Sequence, residues 1–365
     1  MERATPHDGE MSGRSASRRW VVHALLFLPI PIVLFLLTTR RYGIPTPVME
    51  NTVMTGDHVL VSLLHYGMRV GSTRLPGFDG PKVDDLMVFN FPQGDTVVIG
   101  YPNPDYYQWS RIGSRDRILR ELVIDLPRPG TTETSPVRIE GIETHAISER
   151  EPRLARCIAG PDDTLLIKAG TVHLNGQFHP APEMVKFDYE VELNGALGLA
   201  IMRERFGIDE ATYQSHEHHG TLPLRPAQEE AFRSLKQVES LERQHDTLGL
   251  YHSGDGMFWP IFPNDSSFNW TTDELGPLWI PKAGATIQLD ARNLTLYGRA
   301  INAYEGHAVS RVGDQVLIDG QPANTYTFRQ DYYWAMGDNR HRSQDSRYYG
   351  FVPFDHVIGK VIAVY

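Results

Sequence analysis

The residues of this chain that are best suited to chemistry lie close to its C-terminal end, between Gly337 and Pro353. This stretch reads GDNRHRSQDSRYYGFVP and places acidic, basic and hydroxyl side chains at short intervals. Such side chains can form ion pairs, orient a reacting group or stabilise a developing charge. A charged turn after a strand over residues 332–336 is the simpler interpretation, but it does not explain why so many polar types occur at these spacings.

A second cluster of reactive side chains, His216, His218 and His219 in the string EHEHHG, raises the question of a metal site. Histidine is a common zinc ligand, but this spacing does not present an i, i+4 pair on one face of a helix. We interpret the cluster as a solvated polar loop and expect no metal. The sequence also contains no glycine-rich phosphate loop and no CxxC pair, so no cofactor is expected.

Composition and charge restrict the class of protein. Of the 365 residues, 41% are hydrophobic and 10% are aromatic, which is typical of a folded chain. The net charge of −10 argues against nucleic acid as a partner. The single cysteine, Cys157, excludes an internal disulfide and lies in an apolar run, so we expect a small buried side chain there.

An apolar segment near the N-terminus predicts a membrane anchor. Residues 20–38 read WVVHALLFLPIPIVLFLLT without a formal charge, and Arg40 and Arg41 follow them. About 20 apolar residues cross the core of a bilayer. A cleaved signal peptide is the alternative, but its apolar region would be only about 7–15 residues long and would precede small residues. We therefore expect a cytoplasmic tail over residues 1–19 and a retained transmembrane helix over residues 20–39.

Short apolar segments separated by glycine and proline predict a mainly β protein. Strands are expected at residues 57–62, 85–91, 96–99, 156–158, 164–167, 172–175, 316–318, 332–336 and 356–364. Helical or mixed patterns mark the middle of the chain, at residues 200–206, 225–244, 271–276 and 290–305. We therefore expect a β-sheet body built from residues 42–164 and 331–365, with an inserted α/β lobe over residues 165–330.

Four segments resemble the type I signal peptidases (leader peptidases, peptidase family S26), in the expected order. The stretch over 337–353 is similar to the terminal signature of that family. Residues 44–57, IPTPVMENTVMTGD, resemble its nucleophile segment, and residues 84–92, DDLMVFNFP, resemble the strand that helps to bind substrate. Residues 155–164, ARCIAGPDDT, resemble its general-base segment. The stretches around Trp279 and Tyr297 are similar to the long-insert form found in Bacteroidetes-type relatives.

The resemblance implies a serine endopeptidase that removes the signal peptides of exported proteins, using a serine nucleophile and a lysine base. A serine hydroxyl is a weak nucleophile until a base takes its proton, and burial can bring a lysine into the required range. The implied location is the bacterial cytoplasmic membrane, with a single span and the body on the periplasmic side. Signal peptides and the lipid bilayer are the implied partners.

The two positions that would carry this catalysis are substituted. The serine position holds Val48, which has no nucleophilic atom, and the lysine position holds Ala155, which has no base. The register is fixed by Met49 and Gly56 in the first segment, and by Arg156 and Pro161 in the second. Neither Val48 nor Ala155 has a serine or a lysine as a direct neighbour in the sequence.

Other positions of the family pattern are retained. The resemblance assigns Thr46 to the oxyanion hydroxyl, Ser343 to the hydroxyl that orients the lysine, and Asp345 with Arg347 to a supporting ion pair. It assigns substrate binding to Met49, Asp85, Val88 and Phe89. One turn also departs from the family form, because Asp162 replaces a glycine, which matters if that turn needs a positive φ.

Three functions remain open at this point. The first is a degenerate peptidase that binds signal peptides or regulates an active relative without cutting. The second is an active signal peptidase with displaced catalytic residues, although Arg153 cannot act as a base and Thr46, Thr52 and Lys168 are weak substitutes. The third is a structural adhesion or transport protein without a peptide groove, which predicts a cleft filled by bulky side chains.

Overall fold

The computed structural model of the protein describes residues 29–71, 73–99, 106–107, 121–127, 134–195, 197–208, 214–216, 219–246, 250–252, 258–265, 267–313 and 315–365. Its strands, in chain order, are β1 Thr39–Gly43, β2 His58–Ser62, β3 Arg69–Val70, β4 Thr73–Arg74, β5 Leu86–Asn90, β6 Thr96–Val98, β7 Val123–Pro127, β8 Thr134–Arg138, β9 Ile142–Thr144, β10 Pro152–Ala159, β11 Thr164–Lys168, β12 Thr171–Leu174, β13 Gln177–Phe178, β14 Phe187–Leu193, β15 Gln214–His216, β16 His219–Leu224, β17 Val238–Arg243, β18 Leu250–His252, β19 Phe258–Pro260, β20 Leu275–Trp279, β21 Thr286–Gln288, β22 Val309–Val312, β23 Gln315–Ile318, β24 Gln321–Pro322, β25 Thr325–Thr327, β26 Tyr332–Met336, β27 Val352–Pro353 and β28 Val357–Val364. Its α-helices are α1 Pro29–Thr38, α2 Leu199–Ile201, α3 Pro226–Arg233, α4 Ala291–Arg299 and α5 Ser346–Tyr349. The described chain is therefore mainly β, as the sequence predicts.

A seven-stranded antiparallel sheet forms the body, in the order β1-β2-β28-β5-β10-β26-β27. All of its strands come from the two parts of the chain that flank the expected lobe. Apolar side chains of β5, β10 and β26 pack into one buried cluster that includes Phe89, Cys157 and Ala335. The Cys157 thiol is fully buried, as expected, and its burial raises the pKa of that group above the usual range.

The middle of the chain forms separate layers. Strands β11, β12, β13 and β20 make one sheet, against which α4 packs in a cluster that also contains Trp334 from the body. Strands β15, β16, β14 and β17 make another sheet, and α3 contributes Phe232 to its own apolar core. This second sheet thus has a hydrophobic core distinct from that of the body.

Most of the expected elements are found, but one helix prediction is wrong in its second half. Residues 225–244 contain α3 and then strand β17, rather than one helix. The apolar residues of this segment recur every three positions, from Phe232 to Leu241, a spacing that favours a helix. Within 238–243, however, pairing with β14 places Leu241 opposite Val191 and satisfies the backbone, so tertiary pairing overrides the local pattern. The segment at 271–276 leads into β20 and contains no helix.

The expected transmembrane helix is only partly within the described residues. Residues 1–28, and with them the expected tail and the first half of the expected span, lie outside them. Helix α1 covers the end of the span, and the side chains from Ile32 to Leu37 are exposed. Within the described part of the chain, no helix has the length and hydropathy that crossing a bilayer requires. The histidine cluster is also incomplete, because His218 lies outside, and the described residues include no group suited to a metal.

The turn after Pro161 does require a left-handed backbone. Asp162 has a φ of 77°, the region that glycine adopts most easily. Aspartate is among the residues that tolerate this conformation, and here its carboxylate accepts hydrogen bonds from Trp279 Nε1 and Lys282 Nζ, each 3.2 Å long. Replacing the family's glycine with Asp162 therefore leaves the turn in place.

We expect Phe232→Ala to destabilise the β14–β17 sheet by about 3–5 kcal/mol, because the ring is fully buried and packs edge-on against Phe206. Hydrogen exchange should accelerate in β14 and β16, while the seven-stranded sheet stays protected. Glu230→Ala on the exposed face of the same helix is the matched control, and it should change neither the free energy of unfolding nor the hydrogen exchange of the sheet. Equal acceleration in both sheets would show that the two cores unfold as one unit.

Candidate functional site

A cavity of about 440 Å³ opens where the short 3₁₀ turn Pro47–Met49 lies against strand β10. It is lined by Tyr42, Gly43, Ile44, Pro45, Thr46, Val48, Met49, Val88, Phe89, Glu151, Pro152, Arg153, Leu154, Ala155, Gln344, Asp345 and Tyr349. We refer to it as the central cavity. It contradicts the expectation of a cleft filled by bulky side chains, which the adhesion or transport hypothesis required.

Both substituted positions line the central cavity. Val48 is half-buried in the 3₁₀ turn, and its carbonyl oxygen accepts a hydrogen bond of 3.0 Å from the backbone nitrogen of Asn339. Ala155 is buried in β10. The fold therefore brings together the two segments that the sequence assigned to nucleophile and base, and both present only methyl groups there.

The described lining contains no pair of a hydroxyl nucleophile with an amine or imidazole base, and its carboxylates, Glu151 and Asp345, accept hydrogen bonds from arginines. The hydroxyl groups belong to Tyr42, Thr46 and Tyr349, and the described lining contains no serine, cysteine, histidine or lysine. Its cation is Arg153, whose guanidinium carbon lies 3.4 Å from the centre of the Phe91 ring. A guanidinium keeps its proton in proteins, so it cannot serve as a general base.

The walls of the site are held by a buried ion pair, which we call the Asp338 clamp. Asp338 accepts hydrogen bonds of 2.8 and 2.6 Å from Nε and one terminal nitrogen of Arg156, the residue that follows Ala155. The same carboxylate accepts a hydrogen bond from Thr52 Oγ1, which lies on the segment that carries Val48. Burial opposes the charge of Arg156, but the hydrogen bonds and charge of Asp338 outweigh it and raise the pKa of that guanidinium. The clamp thus ties both catalytic segments to the C-terminal signature.

A second buried ion pair, between Asp345 and Arg347, lies within the segment 337–353. Asp345 receives hydrogen bonds of 2.9 and 2.8 Å from Arg347, and both side chains are almost fully buried. Asp345 also accepts 3.1 Å hydrogen bonds from the backbone nitrogens of Gly337 and Arg347. Burial opposes the charge of Arg347, yet its bonds to Asp345 raise the pKa. The two residues are paired as the resemblance implies, whereas their role in a reaction stays a prediction.

Ser343 is fully buried, and its hydroxyl has no hydrogen-bond partner among the described residues. The register pairs Arg156 with Met336, so the next residues along, Ala155 and Gly337, lie beside each other. A Cβ atom at Gly337 would collide with Ser343 Oγ and the Val48 carbonyl, which shows how closely these backbones approach. The orphaned hydroxyl therefore lies next to the position from which the lysine amine is missing.

The expected substrate-binding residues divide into two groups. Met49, Val88 and Phe89 line the central cavity, and so does the exposed Thr46. Asp85 is not among the lining residues, since its carboxylate accepts hydrogen bonds from Lys360 Nζ and from Tyr66 Oη at 2.8 Å. That ion pair lies between β5 and the neighbouring β28, so in this structure Asp85 joins strands rather than contributing to the cavity.

One lysine near the site was not predicted from the sequence. Lys186, just before β14, is buried, and its Nζ donates a 2.6 Å hydrogen bond to Glu50, two residues after Val48. Asn339 Nδ2 also donates to Glu50, at 3.3 Å, and to the Pro47 carbonyl, at 3.1 Å. No local pattern marked this contact, because it joins residues 136 positions apart. Lys186 does not line the central cavity, and neither does Lys168, which is exposed at the end of β11.

Strand β10 offers an open backbone edge to the cavity. Residues 152–156 pair with β5 on one side, but on the other side the pairing with β26 begins only at Arg156. An unpaired strand edge presents backbone donors and acceptors to an extended peptide. The central cavity therefore combines a strand edge with apolar pockets.

Comparison with known proteins finds one family. A family model described as "Signal peptidase, peptidase S26" matches residues 17–223 and 280–365. Signal peptidase I of Aquifex aeolicus (strain VF5) is 53% identical over 36 residues, which are 10% of this chain and 14% of that protein. Signal peptidase I of Leptolyngbya laminosa is 36% identical over 70 residues, 16% of this chain and 34% of that protein. The matched segments thus span about a third or less of these relatives.

We expect Ser343→Ala to be neutral or to stabilise the protein by up to about 1 kcal/mol, because it removes a buried hydroxyl without a partner. Ser346→Ala is the matched comparison. Ser346 Oγ accepts a 3.0 Å hydrogen bond from the Ala335 nitrogen, so its loss should cost about 1–3 kcal/mol. Urea denaturation measures the free energy of unfolding of both variants. A large loss for Ser343→Ala would mean that its hydroxyl has a partner after all.

Proposed function

The chain belongs to the signal peptidase family, peptidase S26, and on that premise we propose that it binds the signal peptides of exported proteins at a membrane without cleaving them. The observation that carries the proposal is that Val48 and Ala155 line one cavity and provide neither nucleophile nor base. In a serine protease, removal of one essential catalytic residue costs about as much as removal of all, on the order of 10⁶ in rate. Loss of both halves of a serine–lysine pair leaves the cleft as a binding site.

The shape and chemistry of the central cavity support an extended peptide as its ligand. The open edge of β10 can pair with a peptide backbone, as in other cases of strand addition. Val88, Leu154 and the two methyl-bearing positions give an apolar lining suited to small side chains. Signal sequences end in such residues before their cleavage site.

A membrane location supports access to such ligands. We propose that residues 20–39 form a single transmembrane helix, of which α1 is the end, and that the β body lies on the periplasmic side of the bacterial cytoplasmic membrane. The exposed apolar side chains from Ile32 to Leu37 favour lipid as their surroundings. The same position would allow the chain to associate with an active relative and regulate it.

The binding proposal predicts capture without turnover. Detergent-solubilised chain, purified from a host that lacks other signal peptidases, is incubated with a preprotein carrying an Ala-x-Ala site. We expect a stable complex and no shorter product. Thr46→Trp should weaken the complex at least about tenfold, which corresponds to about 1.4 kcal/mol, because the indole would occupy the cavity from an exposed position.

Thr325→Trp, on an exposed position of β25 outside the central cavity, is the control and should bind like the unaltered chain. Cleavage of the preprotein by the unaltered chain would support the alternative of an active peptidase with displaced residues. A chain that neither binds nor cleaves would contradict both.

Restoring the missing groups provides an independent prediction. The double variant Val48→Ser with Ala155→Lys should gain measurable cleavage, since Ser343 lies beside the position of the new lysine. Each single variant should remain inactive, because hydroxyl and base act as a unit. The rate of preprotein cleavage measures the effect, and circular dichroism checks folding. A folded double variant without activity would indicate that the groove itself has diverged.

A further inference from the structure

A second cavity, of about 610 Å³, adjoins the central one. Tyr42 and Pro152 line both, so they form a shared wall. Three arginines, Arg40, Arg69 and Arg150, line the second cavity, which we call the arginine cavity. It has no part in the proposed binding of signal peptides.

No carboxylate of the described residues forms an ion pair with the arginines of the arginine cavity. Its described lining contains no aspartate or glutamate. Arg69 donates to the Asp355 carbonyl at 2.6 Å, and Arg150 contacts His356 Nε2, also at 2.6 Å. The Asp355 carboxylate itself is engaged by His356. Three like charges around one partly enclosed space favour an anion there.

Most of the remaining lining is apolar, beside Asn90 and Ser148, and points to an amphiphilic ligand. Leu63, Met68, Ile147, Val357 and Ile358 surround the arginines. A free inorganic anion would gain nothing from these side chains, whereas the glycerol and first acyl carbons of a lipid would be buried by them.

The cavity also lies at the right distance from the expected bilayer core. Arg40 is two residues beyond Thr38, the last residue of α1, and a strand advances about 3.3 Å per residue. The Cα atom of Arg40 therefore lies within about 7 Å of the end of the helix. The polar layer on each side of a bilayer core is about 5–7 Å thick, which is the depth of lipid phosphates.

We propose that the arginine cavity binds the phosphate headgroup of an anionic glycerophospholipid such as phosphatidylglycerol. This inference rests on the membrane placement given under the proposed function, and not on whether the central cavity binds peptide. Because Tyr42 and Pro152 belong to both cavities, a bound lipid would fix the height of the peptide groove above the membrane.

The test uses the full chain in nanodiscs of phosphatidylcholine with phosphatidylglycerol, and native mass spectrometry of the lipids it retains. We expect selective retention of phosphatidylglycerol. We expect each arginine that contacts the headgroup inside the cavity to contribute about fivefold, so Arg40→Gln should lower retention about fivefold and Arg40→Gln with Arg69→Gln about 25-fold. Arg41→Gln is the matched control, because Arg41 lies outside the cavity with its guanidinium 5.4 Å from the Tyr365 ring centre, and it should change retention less than twofold.

Several outcomes would overturn the inference. Equal losses for Arg40→Gln and Arg41→Gln would indicate diffuse surface charge instead of a site. Displacement of the lipid by millimolar inorganic phosphate would assign the cavity to the free anion. Resistance of the chain to alkaline extraction is measured in parallel: a chain that fails to insert contradicts the membrane placement and this inference together, whereas an inserted chain without lipid selectivity contradicts this inference alone.

Discussion

The architecture of the site depends on one buried carboxylate. Asp338 is fully enclosed, and an unpaired charge in such a place would be strongly destabilising, so its bonds to Arg156 and Thr52 are obligatory. Arg156 follows Ala155 on β10, and Thr52 lies four residues after Val48. The three elements must therefore converge wherever the chain folds, and they do so whether or not a serine and a lysine are present.

This independence means that the scaffold does not need a serine at position 48 or a lysine at position 155 in order to form. In the Asp338 clamp and in the Asp345–Arg347 pair, each carboxylate is bound by its own arginine, and neither pair involves the side chain of Val48 or Ala155. Valine and alanine at the catalytic positions are apolar and fit a lining that is largely apolar already. Ser343 is the exception, since its buried hydroxyl has no hydrogen-bond partner among the described residues.

The two cavities lie side by side and differ in their chemistry. The central cavity offers a strand edge and small apolar pockets, and the arginine cavity continues from it past Tyr42 and Pro152 towards α1. A ligand delivered within the membrane would meet the arginine cavity at the depth of the headgroups and the central cavity beyond it. The arginines would therefore attract an anion at the bilayer surface, and the apolar residues of the central cavity would bury apolar side chains of a peptide.

Local patterns and long motifs were enough to predict the family and the β-rich class, and they singled out Val48 and Ala155. Which residues contact one another depends on the folded chain. Residues 225–244 form α3 and then β17. The spacing of their apolar residues favours a helix, but pairing with β14 provides the backbone hydrogen bonds of residues 238–243. The folded chain also bonds Lys186 to Glu50 and places Arg40 and Arg150 around one cavity, although these residues are far apart in sequence. Such contacts are set by how sheets pack, and packing is a property of the whole chain.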